Sequence, residues 1–239
     1  MHPVDQPNSA SIRRINHLVK TLGVGSHYLE IGIRAGGTFE NVLASERTGV
    51  EPYPVFDPEH LPTGTKMFIM TSDEFFATLD AGTRFDVVFV DGLHHYEQAY
   101  RDTINAMRHL SSRGLLLLDD VVPSDEMSAH RDLDEAMRLQ RVAGVERPLW
   151  HGDVYRAVCA LLEHHPDLCV RTIVGSGNPQ ALIWSARPDV APTAVTPEQL
   201  SVYGTVSYQE LFADGVPAKF APGEEEAVLA EGLASVVER

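Results

Sequence analysis

The segment at residues 88–100, VFVDGLHHYEQAY, ends an apolar run in side chains that can hold a metal ion or move a proton. Asp91 and Gly92 follow the apolar residues directly, and His94 and His95 come two and three residues after the glycine. A carboxylate is a ligand for hard cations, and an imidazole with a pKa near neutrality can take a proton from a hydroxyl. These residue types at a strand end predict a catalytic rim, in which either histidine can serve as the base.

Two further acids, Asp119 and Asp120, directly follow the apolar run LLLL at residues 115–118. If the two runs are neighbouring strands, about 4.8 Å apart, carboxylates at both strand ends can reach one ion together. Three clustered carboxylates without a cation would repel one another and raise one another's pKa. Oxygen ligands favour Mg²⁺, Mn²⁺ or Ca²⁺ over zinc, so the pattern predicts a metal site made of Asp91, Asp119 and Asp120. The competing interpretation is that these acids only cap helices or lie in loops.

A glycine-rich turn, RAGGTF at residues 34–39, follows the apolar segment HYLEIGI. Glycines at such a turn let a ligand approach the backbone, and the helix that follows points its N–H groups at that ligand. Glu30, Gly32 and Gly36 lie in this region, and Glu51 follows about 20 residues after Glu30, where ribose hydroxyls are often bound. The spacing is not GxGxxG, so it favours a nucleoside-type cofactor over a dinucleotide. A tight turn without a ligand is the alternative.

Apolar segments that alternate with helical patterns would position these residues. The predicted strands are residues 27–33, 48–54, 66–70, 85–92 and 115–120, with helices at 71–79 and 96–110. Continuously apolar strands in such an alternation predict a parallel sheet covered by helices on both faces. Residues 168–186 add two strands joined by a Gly-Ser-Gly-Asn-Pro turn. The predicted fold class is α/β: a doubly wound, mostly parallel seven-stranded sheet with an antiparallel hairpin at one edge.

Further helices are predicted after residue 10, at 124–142 and at 153–165. Ser11 is interpreted as a cap of the first helix, and Thr71 or Ser72 as the cap of the helix that follows the third strand. Asp153 is interpreted as the N-cap of the helix at 153–165. Trp150 and His151, which precede that helix, are candidate contacts to a substrate.

The composition limits the classes of function. The net charge of −15 argues against a nucleic-acid-binding module, which would show a basic face. The longest apolar runs are about five residues, far short of the roughly 20 that a membrane span needs. No secretory signal is visible, and Cys159 and Cys169 do not suit a disulfide framework, so a cytoplasmic protein is predicted. Residues 1–186 are predicted to form one domain, and 187–239 a C-terminal extension that covers the site or contacts a second copy in a homo-oligomer.

Four segments, YLEIGIRAGGTF, GVEP, FDVVFVDGLHHYEQAYRD and GLLLLDDVVP, resemble in order and spacing the class I S-adenosylmethionine-dependent methyltransferases. They resemble more closely the metal-dependent O-methyltransferases that act on sugars of natural products. The resemblance covers roughly residues 25–125, and its most specific part is the DGxHxY segment together with the Asp-Asp pair. It implies a Rossmann-like fold that binds S-adenosylmethionine and Mg²⁺ or Mn²⁺.

The resemblance also implies roles for individual positions. Cofactor contacts are implied for Glu30, Gly32, Gly36, Glu51, Ser72, Asp73 and Asp91. Among these, Glu51 would hold the ribose hydroxyls and Ser72 or Asp73 would face the adenine. The implied magnesium ligands are Asp91, Asp119 and Asp120. The implied general base is His94, and the candidate acceptor contacts are His95, Tyr96, Trp150 and His151.

The activity that follows is transfer of a methyl group to a hydroxyl of a small polyhydroxylated acceptor, sugar-like or catechol-like, in secondary metabolism. The metal would chelate two adjacent hydroxyls, and His94 would remove a proton while the oxygen attacks the sulfonium methyl. Three alternatives stay open at this point: a catalytically silent methyltransferase-like partner protein, a nicotinamide-dependent oxidoreductase, and a metal-dependent hydrolase or hydroxylase.

Overall fold

The computed structural model describes residues 9–23, 25–57, 61 and 63–237, which build a central sheet with helices on both faces. The strands are β1 (His27–Ile31), β2 (Glu46–Val50), β3 (Thr65–Phe68), β4 (Phe85–Val90), β5 (Leu110–Leu118), β6 (Leu168–Val174), β7 (Gln180–Ser185) and β8 (Pro222–Glu224). The helices are α1 (Ala10–Leu22), α2 (Gly37–Asn41), α3 (Ser72–Thr78), α4 (Tyr96–Arg108), α5 (Leu133–Val142), α6 (Tyr155–His164), α7 (Pro197–Ser201), α8 (Tyr208–Phe212) and α9 (Glu225–Val237). None of the helices in these ranges is long and apolar enough to cross a membrane.

The sheet has the strand order β3-β2-β1-β4-β5-β7-β6-β8. The first five strands in this order are parallel, β7 runs antiparallel to both β5 and β6, and β8 is parallel to β6. The predicted fold class is confirmed, including the antiparallel hairpin. The chain order reverses between β1 and β4, and ligands of such sheets bind outside the carboxyl ends of the strands at this switch point.

The prediction of seven strands is wrong by one, because β8 extends the sheet beyond β6. This strand is only three residues long, Pro222–Glu224, and pairs with Thr172, Ile173 and Val174. A Pro-Gly-Glu sequence has no apolar run, so it carries no strand signal of its own. The pairing with β6 makes it a strand, and that contact joins segments 50 residues apart.

Both faces of the sheet are buried at its centre, which explains why the central strands carry runs of consecutive apolar residues. Leu29, Val88 and Leu116 point into a cluster shared with α4 and α6. Their neighbours along the chain, such as Tyr28 and Val87, point into a second cluster shared with α1 and α9. Side chains alternate between the faces of a strand, so where both sides are covered consecutive positions favour apolar residues.

The helix caps agree with the sequence at one position and differ at another. Thr71 caps α3 in a capping box with Glu74. Of the two predicted caps, Thr71 and Ser72, the structure therefore confirms Thr71. The cap of α1 is Ser9, whose Oγ accepts a hydrogen bond from Ile12 N at 3.2 Å, so the prediction of Ser11 is wrong. Ser11 lies inside the helix, where its Oγ accepts a hydrogen bond from Gln180 Nε2 at 2.7 Å.

The helix predicted at 124–142 is only half formed, because α5 begins at Leu133. Asp125 and Ser128 bond to each other locally, with Ser128 N donating to Asp125 Oδ1 at 2.6 Å. Asp132 then caps α5 by accepting a hydrogen bond from Glu135 N at 2.8 Å. Short polar side chains that bond to nearby backbone compete with the helix, and here that competition delays the helix start.

The segment after residue 186 contributes to both faces of the molecule. α9 packs in the cluster with α1, while residues between 195 and 220 lie against α4 and α6. Val195 N donates to Tyr100 Oη at 3.1 Å, and Tyr155 Oη donates to Val206 O at 3.1 Å. These contacts fix the position of the segment behind the helices that carry the candidate site.

Candidate functional site

The carboxyl ends of β4 and β5 bring the predicted acids together. Val90 and Leu118 are paired residues of these two parallel strands, and Asp91 and Asp119 follow them directly. The strand ends are fixed by the sheet itself, since Asp91 N donates to Ile31 O at 2.8 Å and Asp119 N donates to Val90 O at 3.0 Å. The predicted convergence of these carboxylates at one edge of the sheet therefore follows from the register.

His94 lies between two carboxylates. Its Nε2 is 3.4 Å from Asp91 Oδ1, and its Nδ1 is 3.0 Å from Asp120 Oδ2. Burial lowers the pKa of His94, but the adjacent Asp120 and Asp91 outweigh burial and raise it well above its ordinary value. The imidazole stacks on Trp150 with ring centres 4.6 Å apart and planes 14° apart, so its orientation is fixed.

Asp91, His94 and Asp120 each offer one ligand atom, and these atoms lie within 4.8 Å of one another. The two carboxylates are oxygen donors of the kind that Mg²⁺ and Mn²⁺ accept, and the imidazole of His94 lies beside them. The geometry thus fits the predicted ion at Asp91 and Asp120.

Asp119 occupies a different environment from Asp120. Its Oδ1 accepts hydrogen bonds from Asp120 N at 2.9 Å and from Asn178 Nδ2 at 2.6 Å. Burial, reinforced by the charges of Asp120 and Asp91, raises the pKa of Asp119 well above its ordinary value. Burial also opposes ionisation of Asp120, but the positive charge and hydrogen bond of His94 lower the pKa of that carboxyl.

Asp120 has an unusual backbone conformation for a residue with a side chain, with φ at +60°. Aspartate is among the few residues that tolerate this left-handed region. Left-handed residues of this kind cluster at functional sites, where the surrounding structure holds them in place. Here the conformation aims the Asp120 carboxylate at His94.

The segment at residues 150–153 packs directly on the backbone of His94. Trp150 O is 3.0 Å from His94 Nδ1, and Asp153 N donates to His94 O at 3.1 Å. Gly152 has φ at +58°, and a Cβ at this position would overlap His94 O, so only glycine fits. This segment therefore sets the position of His94 from the side opposite the strands.

Asp153 does not cap its own helix, which corrects the sequence interpretation. The N-cap position of α6 is Val154, and Asp153 Oδ1 instead accepts a hydrogen bond from Tyr96 N at 2.8 Å. Asp153 thus caps α4, whose own N-cap residue His95 makes no side-chain bond. Its second oxygen accepts hydrogen bonds from Arg131 at 3.1 Å and from Arg156. A cap supplied from 57 residues away leaves no local sequence signal.

Asn178 is the residue of the site that the sequence interpretation missed. Its Nδ2 donates to Asp119 Oδ1 at 2.6 Å and to Asp120 Oδ1 at 2.7 Å, and its Oδ1 is 3.3 Å from His151 Nε2. A signal was available in the predicted hairpin. Because β7 runs antiparallel to β5, residues just before Gln180 must lie at the carboxyl end of β5.

The residues assigned to the cofactor lie around the turn after β1. Glu30 is buried and accepts a hydrogen bond from Tyr28 Oη at 2.6 Å. Gly32 has φ at +86°, and a Cβ there would overlap the backbone of Asp91, so the ends of β1 and β4 touch only because this residue is glycine. Gly36, with φ at +81°, precedes the first residue of α2.

Glu51, at the end of β2, joins this turn. Its Oε2 accepts hydrogen bonds from Ile33 N at 3.1 Å and Arg34 N at 2.9 Å, and its Oε1 accepts one from Tyr53 N at 2.8 Å. The carboxylate therefore holds the glycine-rich turn against the end of β2. The predicted neighbourhood of Glu51 and the turn after β1 is present in the structure.

Ser72 and Asp73 lie at the start of α3 and are tied to α4. Gln98 Nε2 donates to Ser72 Oγ at 3.0 Å, and Arg101 Nη2 pairs with Asp73 Oδ2 at 3.2 Å. Asp102, which the sequence interpretation did not select, is buried nearby and accepts a hydrogen bond from Gln98 at 2.9 Å. Burial raises the pKa of Asp102 to about 6.

The four candidate acceptor contacts differ in exposure. Tyr96 and His151 are buried, at 4% exposure each, whereas His95 and Trp150 are partly exposed. Trp150 Nε1 donates to His130 O at 2.8 Å, which anchors the ring that stacks on His94. Among the residues that the structure describes, His151 Nδ1 is a buried atom with no hydrogen-bond partner.

Residues 22–121 match a family model described as "Methyltransferase domain". Curated protein sequences give no significant match. Among solved structures, cofactor-bound Rv0187 from MTB is 18% identical, over 74% of this chain and 80% of that chain, with a TM-score of 0.53. The O-methyltransferase TomG from Streptomyces achromogenes, involved in tomaymycin synthesis and in complex with SAM, is 16% identical over 74% and 80% of the two chains, with a TM-score of 0.51. An O-methyltransferase from Bacillus cereus in complex with SAH is 14% identical over 76% and 82%, with a TM-score of 0.50. These likenesses show a shared fold.

Proposed function

This chain contains a methyltransferase domain of the S-adenosylmethionine-dependent class I fold, and from that premise we propose that it is a metal-dependent O-methyltransferase. The proposed acceptor is a small molecule with adjacent hydroxyls, sugar-like or catechol-like, and the proposed setting is secondary metabolism. The observation that carries this proposal is the cluster of Asp91, His94 and Asp120 at the carboxyl ends of β4 and β5. It lies beside the glycine-rich turn of β1, where the cofactor's methyl group would be presented.

The cofactor half of the site is proposed at the ends of β1, β2 and β3. The turn at Gly32 and Gly36 leaves room for a ligand against the backbone, with Glu30 buried beneath it. Glu51 would exchange part of its bonding to backbone N–H groups for the ribose hydroxyls. Ser72 and Asp73 would line the adenine end, as the resemblance implies.

The metal half of the site is proposed at Asp91, Asp120 and Asp119. A divalent ion there would lower the pKa of an acceptor hydroxyl and offset the carboxylate charges that raise the pKa of His94. Asn178 engages the Oδ1 atom of both Asp119 and Asp120, and the Oδ2 atom of Asp120 faces His94 Nδ1 at 3.0 Å.

His94 is the proposed base, and its surroundings select the atom that takes the proton. Two oxygens, Asp120 Oδ2 and Trp150 O, lie 3.0 Å from Nδ1, so the neutral ring carries its hydrogen there. The lone pair is then at Nε2, on the side of Asp91. His94 would remove the hydroxyl proton at Nε2 as the oxygen attacks the methyl group.

The test is methyl transfer from S-adenosylmethionine to a panel of catechols and sugars with adjacent hydroxyls, followed by mass spectrometry. We expect a mass gain of one methyl group on at least one acceptor, loss of turnover in chelator, and recovery on addition of Mg²⁺ or Mn²⁺. Monohydroxy analogues of the same acceptors are the matched control and should react far more slowly. Turnover that persists unchanged in chelator would contradict the metal requirement.

A further inference from the structure

We propose that Arg14 is a positioning residue for the metal site, which it controls through the turn between β6 and β7. Arg14 lies on α1, outside the candidate site, and holds the turn in the conformation that presents Asn178 to Asp119 and Asp120. This inference rests on the proposed metal-dependent function and deepens it.

The Arg14 guanidinium is completely buried, and its hydrogen bonds converge on one turn. Nη1 donates to Asn178 O at 2.7 Å and to Gln180 Oε1 at 2.8 Å, and Nη2 donates to Ser176 O. Nε donates to Glu225 Oε2 on α9 at 2.8 Å. A buried charge is costly unless it is paired and fully hydrogen-bonded, and here both conditions are met. The planar guanidinium thus fixes several oxygen atoms of this turn in one geometry.

The turn needs such an anchor because its own sequence is permissive. Gly175 and Gly177 both have positive φ, at +88° and +71°, and glycine populates many backbone conformations. Ordering this turn costs conformational entropy. Without Arg14, only the turn's remaining contacts would offset that cost. The carbonyls of Ser176 and Asn178 are the atoms that Arg14 holds, so the anchor acts on the backbone that carries the Asn178 side chain.

The side chain of Asn178 links the turn to the two acids of the site. Asn178 Nδ2 donates to one oxygen each of Asp119 and Asp120, at 2.6 and 2.7 Å. These bonds hold one oxygen of each carboxylate in a fixed position. Partners of this kind orient the ligands of a metal, and their loss commonly costs about 10- to 100-fold in metal affinity.

Arg13 provides a matched control. It is the chain neighbour of Arg14 and binds the same carboxylate, with Nε and Nη2 each 2.8 Å from Glu225 oxygens. Within the described residues, its side-chain hydrogen bonds go to Glu225 alone, and the side chain is half exposed, at 49%. Arg13→Met therefore removes two hydrogen bonds to Glu225 and none to the turn.

The experiment compares Arg14→Met, Arg13→Met, Asn178→Ala and the double variant Arg14→Met/Asn178→Ala in the full chain. Two affinities are measured for each protein: that for Mn²⁺ alone, by electron paramagnetic resonance, and that for S-adenosylhomocysteine, by calorimetry. We expect Arg14→Met to weaken Mn²⁺ binding about 10- to 100-fold and to change S-adenosylhomocysteine binding less than about threefold. Arg13→Met should leave both affinities unchanged. Asn178→Ala should match Arg14→Met, and the double variant should lose no more than Asn178→Ala alone.

Equal Mn²⁺ affinity in Arg14→Met and Arg13→Met would overturn this inference and leave the proposed function intact. Mn²⁺ binding that is absent in the unaltered protein would overturn the proposed metal site and this inference with it. If Arg14→Met does not fold, Arg14→Lys and Asn178→Ala decide the matter. Lysine retains the charge but lacks the planar fork, so Arg14→Lys should also weaken Mn²⁺ binding, and wild-type Mn²⁺ affinity in both variants would contradict the inference.

Discussion

His94 has the most specific surroundings of the candidate residues, with a carboxylate facing each ring nitrogen. Removing the imidazole should lower kcat by about 10²–10⁴-fold, the range in which general bases contribute. We therefore expect this loss for His94→Ala in steady-state kinetics at saturating Mg²⁺, with the affinity for S-adenosylhomocysteine unchanged. His95→Ala is the neighbouring control and should keep kcat within a few fold. A near wild-type rate in His94→Ala would assign the base to another group.

Gly152 should matter because no side chain fits beneath His94 O. Gly152→Ala must displace the backbone of His94, so we expect at least a tenfold loss of kcat with little change in cofactor affinity. Gly144 is a matched control, since its φ of +77° is just as unfavourable for alanine but no atom lies within 4 Å of the added Cβ. Gly144→Ala should cost about 1–2 kcal/mol of stability from backbone strain and leave kcat unchanged. Equal effects of the two substitutions on kcat would show that the contact with His94 is irrelevant.

Asp102 should make the stability of the protein depend on pH. Burial raises the pKa of its carboxyl from 3.8 to about 6, so between these values the folded state binds a proton that the unfolded state has released. The stability from this group is complete below about pH 4 and is lost as the pH rises through about 6. From pH 5 to pH 7.5 the free energy of unfolding should fall by about 1 kcal/mol more in the wild type than in Asp102→Asn. Urea denaturation of both proteins at both pH values measures this difference, and parallel behaviour would refute the buried-carboxyl account.

At the scale of single elements, Glu51 connects the end of β2 to the glycine-rich turn. Glu51→Ala removes the acceptor of three backbone N–H groups and should weaken S-adenosylhomocysteine binding at least tenfold, as measured by calorimetry. Glu46, the exposed first residue of the same strand, gives a control at the opposite end, and Glu46→Ala should bind normally. Unchanged affinity in Glu51→Ala would mean that the cofactor does not use this end of β2.

The elements that the sequence predicted best are the ones whose burial is complete. β4 and the second half of β5, Leu115–Leu118, are almost entirely apolar because both faces of the sheet are covered there, and that signal is local. The start of α3 was also predictable, since Thr71 and Glu74 form a capping box within four residues. β8 and the late start of α5 were not predictable in this way. Pairing with β6 creates β8, and local bonds around Ser128 displace the helix.

For the whole molecule, the parts of the site that could be predicted are those that the strand order of the sheet brings together. The register of β4 with β5 brings Asp91, Asp119 and Asp120 to one edge, so residue order and strand assignment were enough to place them together. The resemblance to class I methyltransferases is confirmed by the family match and by the fold. The contact of Asp153 with Tyr96 was out of reach because the two residues are 57 positions apart, whereas the antiparallel hairpin could have indicated the place of Asn178.

The helices at the two ends of the described chain meet behind the site. Glu225 on α9 receives hydrogen bonds from Arg13 and Arg14 on α1, and burial is outweighed there by these bonds and that of Ser176, so the pKa of Glu225 falls to about 2. A carboxyl with a lowered pKa stabilises the fold above its unfolded value of 4.5, and this contribution is lost as the pH falls toward 2. Glu225 is therefore ionised at neutral pH, and its hydrogen bonds to Arg13 and Arg14 are kept there.

The proposed activity depends first on binding of the methyl-donor cofactor. The most direct measurement is a calorimetric titration of the purified protein with S-adenosylhomocysteine, and separately with NAD⁺, each in Mg²⁺ and in chelator. We expect micromolar binding of S-adenosylhomocysteine in both conditions and no binding of NAD⁺. Absence of S-adenosylhomocysteine binding in both conditions would contradict the proposed activity and leave only the fold.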